Sequence, residues 1–230
     1  GLAYYTDKNK KLFFDVAQPN KEKISNTLNA GTLSFELSSN GEKIVTNCGA
    51  SESIGSNPEF LRYSAAHSTI ILQNTNISEI KEKNPHIKFP QSVLFSLNEN
   101  ESQVVLEGSH NGYQKKFKKI IKRKLSISKT VDEILGEDTI ISLKEIKNRE
   151  IFHIRFHLMP DMTSNFTNNK KNVILKTKLG NMWLFKCDTE LSVENSIYVD
   201  FNKTQEIKQI VIKGVINNIK EIIKWSLRRI

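Results

Sequence analysis

Apolar and polar residues alternate with period two along much of the chain, the spacing of half-buried β-strands. Leu33-Ser34-Phe35-Glu36-Leu37 sets the pattern, and Asn40-Gly41 supplies a hairpin turn before Lys43-Ile44-Val45. Further strand-like runs fall at 69–72, 93–97, 104–106, 117–127, 140–143, 151–158, 173–177, 182–186, 197–201 and 207–213. In 216–227 the spacing of Ile216, Ile219, Ile222, Ile223 and Leu227 is helical, yet Ile223, Trp225 and Leu227 alternate as a strand. The strand reading is preferred for its end. Segments 51–62 and 163–171 lack periodicity and read as loops. Many short strands set apart by Gly, Asn, Asp and Pro predict an all-β fold with few or no long helices. The expected architecture is a large antiparallel β-sandwich, one domain over 1–230 with no repeat or linker.

Composition narrows the function classes. Of 230 residues 38% are hydrophobic and 26% charged, enough apolar material for a core and too much for a mainly disordered chain. No apolar run reaches the roughly eighteen residues of a membrane-spanning helix, so no transmembrane segment is expected. The sequence opens on Gly1 without a leader pattern and is expected to be the C-terminal part of a longer protein. Lys plus Arg number 34 against 25 Asp plus Glu, a net charge of +9 that favours anionic partners. A coding bias towards Lys, Asn and Ile gives the same charge without selection for binding. No nucleic-acid-binding signature accompanies it, so nucleic acid is not expected as a partner. Cys48 and Cys187 belong to no CxxC pair, which removes zinc-ribbon and thioredoxin readings. A disulfide between them stays open, with two buried thiols preferred.

Five histidines, His67, His86, His110, His153 and His157, form no HExxH motif. On a strand over 151–158, His153, Arg155 and His157 share one face opposite Phe152, Ile154, Phe156 and Leu158, either a solvated face or a site. In the basic run 115–124 and just beyond it, Phe117, Ile121, Leu125 and Ile127 point inward, with Lys119 and Arg123 as misfits among them. Lys116, Lys118, Lys122 and Lys124 then form an outward cationic ridge, an edge strand guarded by lysines or a contact for anions. Lys122 and Lys124 are its candidate substrate-binding residues. Arg62 to Thr69 joins an irregular loop to an apolar strand, where Arg62 and His67 meet in a cleft or His67 packs in the core. Ser68 beside His67 makes no triad, because no GxSxG elbow is present. In the Gly-bounded segment 108–113, His110 and Tyr113 are residue types able to move protons, though an ordinary turn looks the same.

Taken in order, several of these segments resemble the C-terminal region of the heparinase II/III-like family of polysaccharide lyases. The resemblance is carried by Asn29-Ala30-Gly31-Thr32-Leu33-Ser34-Phe35-Glu36-Leu37, Asn47-Cys48-Gly49-Ala50 and Arg62 to Thr69. It continues through Glu107-Gly108-Ser109-His110-Asn111-Gly112-Tyr113, Arg155-Phe156-His157-Leu158-Met159-Pro160 and Trp225-Ser226-Leu227-Arg228-Arg229, from about Leu12 to the end. It implies a β-sandwich following an α/α-toroid domain, and β-elimination on an acidic, uronate-containing polysaccharide at the envelope or periplasm of a bacterium. In that chemistry a base takes the C5 proton while positioned polar groups neutralise the neighbouring carboxylate.

The resemblance also exposes departures. A His-x-His-x-Asp run usual in the family falls here on Thr27, Asn29 and Gly31, and a usual acidic residue is Asn47. Only His67 remains of the metal-binding set, and neutral Asn is a poor zinc ligand, so no metal or other cofactor is expected. The candidate catalytic residues are His67, Arg62 and Asn29, followed by His110 and Tyr113, with Asn47, Lys122 and Lys124 binding substrate. The family's catalytic Tyr and Asn belong to the toroid. A non-catalytic glycan-binding or scaffolding sandwich is the alternative, favoured by the missing imidazoles at Thr27 and Asn29.

Overall fold

A computed structural model describes the chain except residues 20–28, 52–57, 81–87, 168–169 and 202. Thr27 and His86 therefore lie outside the described residues. Period-two burial drives the architecture: strand after strand hides every second side chain, and two sheets form by burying those faces against each other. Among the described residues the first sheet has nine strands. Its path runs β1 (Leu2–Thr6), β2 (Lys10–Asp15), β3 (Phe35–Ser39), β4 (Glu42–Thr46), β11 (Ile151–Leu158), β16 (Lys203–Val215), β15 (Leu191–Phe201) and β5 (Gly49–Ser51), with β6 (Ile70–Leu72) also on β11. The second has eight, in the order β12 (Thr163–Phe166), β13 (Asn172–Lys176), β14 (Met182–Cys187), β17 (Lys220–Arg229), β10 (Glu133–Ser142), β9 (Lys119–Ser128), β8 (Gln103–His110) and β7 (Val93–Glu99). Pairing is antiparallel except between β5 and β15. This is the predicted all-β sandwich.

The core lies between the sheets. Phe35 stacks on Trp225 at 5.7 Å, and Phe156 meets the same indole edge-on at 4.8 Å, joining β3 and β11 to β17 across the layers. Such pairs add about 0.5–1.5 kcal/mol each beyond area burial. The Asn40-Gly41 turn forms with both residues at positive φ, as a primed hairpin turn requires.

Three expectations are corrected. The run at 117–127 begins later, because Gln114–Phe117 closes a single helical turn, α1, capped by Lys118 in the left-handed region. Residues 163–166, read as loop, are the edge strand β12, held by pairing to β13 and not by apolar alternation. β10 starts at Glu133, since Gly136 and Asp138 break the apolar pattern while occupying inward positions. The end of the chain is strand β17, as preferred. Cys48 and Cys187 are buried free thiols. No helix among the described residues is long and apolar enough to cross a membrane.

Lys119 and Arg123, the inward misfits of the basic run, are buried with acidic partners. Lys119 meets Glu150 at 2.7 Å, and Arg123 meets Asp138 at 2.7 Å with both side chains fully buried. A buried guanidinium survives only when its donors are satisfied. Here Nε and Nη2 donate to Asp138, and Nη1 donates to the carbonyls of Leu33 (2.9 Å) and Ser68 (2.6 Å). Trp225 Nε1 donates to Asp138 Oδ2 at 2.9 Å.

Candidate functional site at a split in the nine-stranded sheet

One edge of β11 is shared between two partners. β4 pairs with it only at His157 and Leu158, and β6 only from Phe152 to Ile154. The chain entering β6 fills the gap. Thr69 O accepts from Arg155 N at 3.1 Å, while Ser68 Oγ accepts from His157 N at 2.9 Å and donates to Thr46 O at 2.6 Å. A serine hydroxyl thus replaces a missing ladder contact, leaving His67 at the split. Arg123 reaches the same place from the opposite sheet through the Ser68 carbonyl.

Four distant segments converge here. Ala30 N donates to Arg62 O at 2.8 Å, and Ser64 Oγ donates to Ala30 O at 2.7 Å, which ties 29–31 to 62–64. Gly31 lies against the His67 ring so closely that a Cβ on it would stand 2.9 Å from Cγ and Nδ1. Asn47 Oδ1 accepts from Ser68 N at 2.9 Å, and its Nδ2 donates to Glu36 at 3.1 Å. Cys48 N donates to Ala66 O at 2.9 Å, fixing the segment after β4 to the residue before His67.

Arg62 and His67 are buried at 5% and 9% exposure. Burial holds the His67 imidazole neutral, its pKa pushed down to about 4, and its Nε2 has no hydrogen-bond partner among the described residues. His157 stands beside it, pushed down to about 3 by burial first and then by His67 and Arg155. Its Nε2 donates to Ala65 O at 3.0 Å, so Nδ1 accepts from Ser196 Oγ at 2.9 Å. Burial raises the nearby Cys48 thiol above its ordinary value.

The candidate residues fall into three places. Arg62, His67 and Asn47 belong to the split, and exposed Asn29 borders it next to Ala30. His110 and Tyr113 sit within the sandwich. Tyr113 Oη donates to Thr75 O at 2.8 Å, and His110 Nδ1 accepts from Gly112 N at 3.1 Å. Burial, then Arg123, pushes His110 down to about 3, and burial raises the Tyr113 hydroxyl. Lys122 and Lys124 lie on the outer face of the other sheet. Sequence reading missed His157 as a partner of His67. Its family motif was visible, but burial on that face depends on the 62–69 loop covering β11.

Of the positions that the resemblance gives to metal ligands, Gly31 offers no side chain and Asn47 is engaged at both ends of its amide. Among the described residues no group of three or more His, Cys, Asp or Glu side chains is arranged to hold one.

The two facing sheets define the class, a large and mainly antiparallel β-sandwich. The profile of the family described as "Heparinase II/III-like, C-terminal" matches residues 1–226, and the chain belongs to that family. No curated protein sequence matches it. Among solved structures it is similar to heparan sulfate lyase HepC from Pedobacter heparinus, with a TM-score of 0.77 and 17% identity over 100% of this chain and 35% of that one. Heparinase III gives 0.71 and 12%, over 96% and 33%. The α-N-acetylgalactosaminidase NagBb from Bifidobacterium bifidum gives 0.51 and 10%, over 99% and 36%. At these identities the likeness is one of fold, and the chain spans about a third of each relative's length.

Proposed function

We propose that the chain is the sandwich part of a polysaccharide lyase that cleaves uronate-containing acidic polysaccharide by β-elimination. The observation that carries this reading is the meeting of Arg62, His67, Asn47 and the 29–31 segment at the split, in a chain of this family. The weakly acidic C5 proton of a uronate leaves only when its carboxylate is neutralised and the developing charge is met by fixed donors. Arg62 is assigned to the carboxylate and Asn29 to a sugar hydroxyl. Neutral His67, with Nε2 unpartnered among the described residues, is assigned a hydrogen bond to substrate. An upstream toroid supplying further catalytic groups, and a place at the bacterial envelope, belong to the same proposal.

A non-catalytic glycan-binding module is the second reading. It is favoured by Asn47, whose amide is committed to Glu36 and Ser68. The full-length protein carrying this chain should release products absorbing in the unsaturated-uronate band from at least one acidic glycan. Retention of glycan without such products across a panel of uronate polymers would select the second reading.

A further inference from the structure

The outer face of the eight-stranded sheet, opposite the side that carries Arg123 and Asp138, holds two adjoining grooves. The larger, about 560 Å³, is bordered by Lys124, Lys171, Lys186 and Lys224, with Leu135 and Ser226 between them. The smaller, about 320 Å³, is bordered by Lys122, Lys124 and Lys220, and Lys124 and Glu137 line both. The strand register assembles them: Glu137 pairs with Lys124 on one side and Lys224 on the other, while Lys186 pairs with Ser226. Lys124 and Lys224 therefore stand about 10 Å apart, two strand spacings. Lys122 and Lys124 come from β9, Lys220 and Lys224 from β17, Lys186 from β14 and Lys171 from the residue before β13.

Across both grooves six lysines face three carboxylates, Glu107, Glu137 and Asp188. Lys122 is paired with Glu107 at 3.3 Å, but among the described residues the side chains of Lys124, Lys186, Lys220 and Lys224 have neither an ion pair nor a hydrogen bond. Exposed ammonium groups without local partners are point charges available to an external anion. Ser126, Ser226 and Asn172 beside them supply the hydroxyl and amide contacts that sugars use. The indole of Trp225 is 3% exposed, so among the described residues the groove offers no aromatic platform for stacking bases, which argues against single-stranded nucleic acid as occupant.

We propose that this lysine-lined groove is a holding site for a linear anionic polysaccharide, on the opposite side of the sandwich from His67. The class of anion rests on the glycan reading above, whereas the test reads binding and not elimination. Binding of the chain to immobilised heparin is measured across a salt series, beside the triple variant Lys124→Ser, Lys186→Ser, Lys224→Ser. A second triple variant, Lys115→Ser, Lys116→Ser, Lys118→Ser, removes equal charge from the α1 end. Circular dichroism confirms that all three proteins are folded.

The groove variant should bind roughly tenfold more weakly with a shallower salt dependence, and the α1 variant should stay within about twofold of the parent. Equal weakening of both, no binding by the parent, or equal affinity for a DNA oligonucleotide would overturn the site. Elimination without groove binding sinks this proposal alone, and binding without elimination sinks the lyase reading alone.

Discussion

Arg123 shows how much can depend on one residue. Its guanidinium joins Asp138 of its own sheet to the carbonyls of Leu33 and Ser68 beside the split, so it positions the neighbourhood of His67 without facing solvent. Arg123→Met should destabilise by about 3–5 kcal/mol in denaturant unfolding, because Asp138 is left charged and buried without its partner. The paired change with Asp138→Leu should recover part of that loss. Gly31 is the second sensitive position. Gly31→Ala drives a methyl into the His67 ring and should cost about 1–3 kcal/mol, read from the same transition.

The buried histidines fix a pH dependence. His67 is held at about 4, and His110 and His157 at about 3, all below the roughly 6.5 of an unfolded chain. The unfolded state then binds more protons between those limits. The histidine contribution to stability is full above about pH 6.5 and is lost as pH falls towards 4 and 3, with a limiting slope of about 1.4 kcal/mol per unit for each group. Melting temperature measured from pH 7 to pH 4 should fall, and His110→Gln should flatten the decline. None of this was legible from residue type, since a histidine in sequence carries no mark of its burial.

At the scale of elements, strands with clean alternation were legible and strands with inward polar groups were not. Residues 151–158 match β11 from end to end, because Phe152, Ile154, Phe156 and Leu158 all face the core. β10 was half hidden because Asp138 faces inward to meet Arg123, a pairing invisible until β9 and β10 lie side by side. β12 had no apolar signal to find. The split was only partly readable: the sequence put Arg62, His67 and Asn47 in one family pattern, but Ser68 filling a gap between β4 and β6 is a product of topology. Ser68→Ala should leave His157 N and Thr46 O without that hydroxyl and cost about 1–3 kcal/mol. Hydrogen exchange at the His157 amide should quicken in that variant relative to the rest of β11.

Across the whole molecule, the sandwich separates two chemistries by a layer of apolar packing. The split at His67 is buried, neutral and confined, whereas the opposite face is exposed and basic. Net charge alone hinted at an anionic partner but not at where it would lie, because lysines on β9, β14 and β17 come together only when the sheet forms. The fold class followed from period two, and its large size from the number of strand-length runs.

The account stands on uronate chemistry at the gap where β4 leaves β11. The decisive quantity is the initial rate of unsaturated-product formation by the full-length protein, for the parent and for His67→Ala with an unchanged circular dichroism spectrum. A drop of about a hundredfold or more is predicted. A rate equal to the parent's would contradict the role given to this histidine.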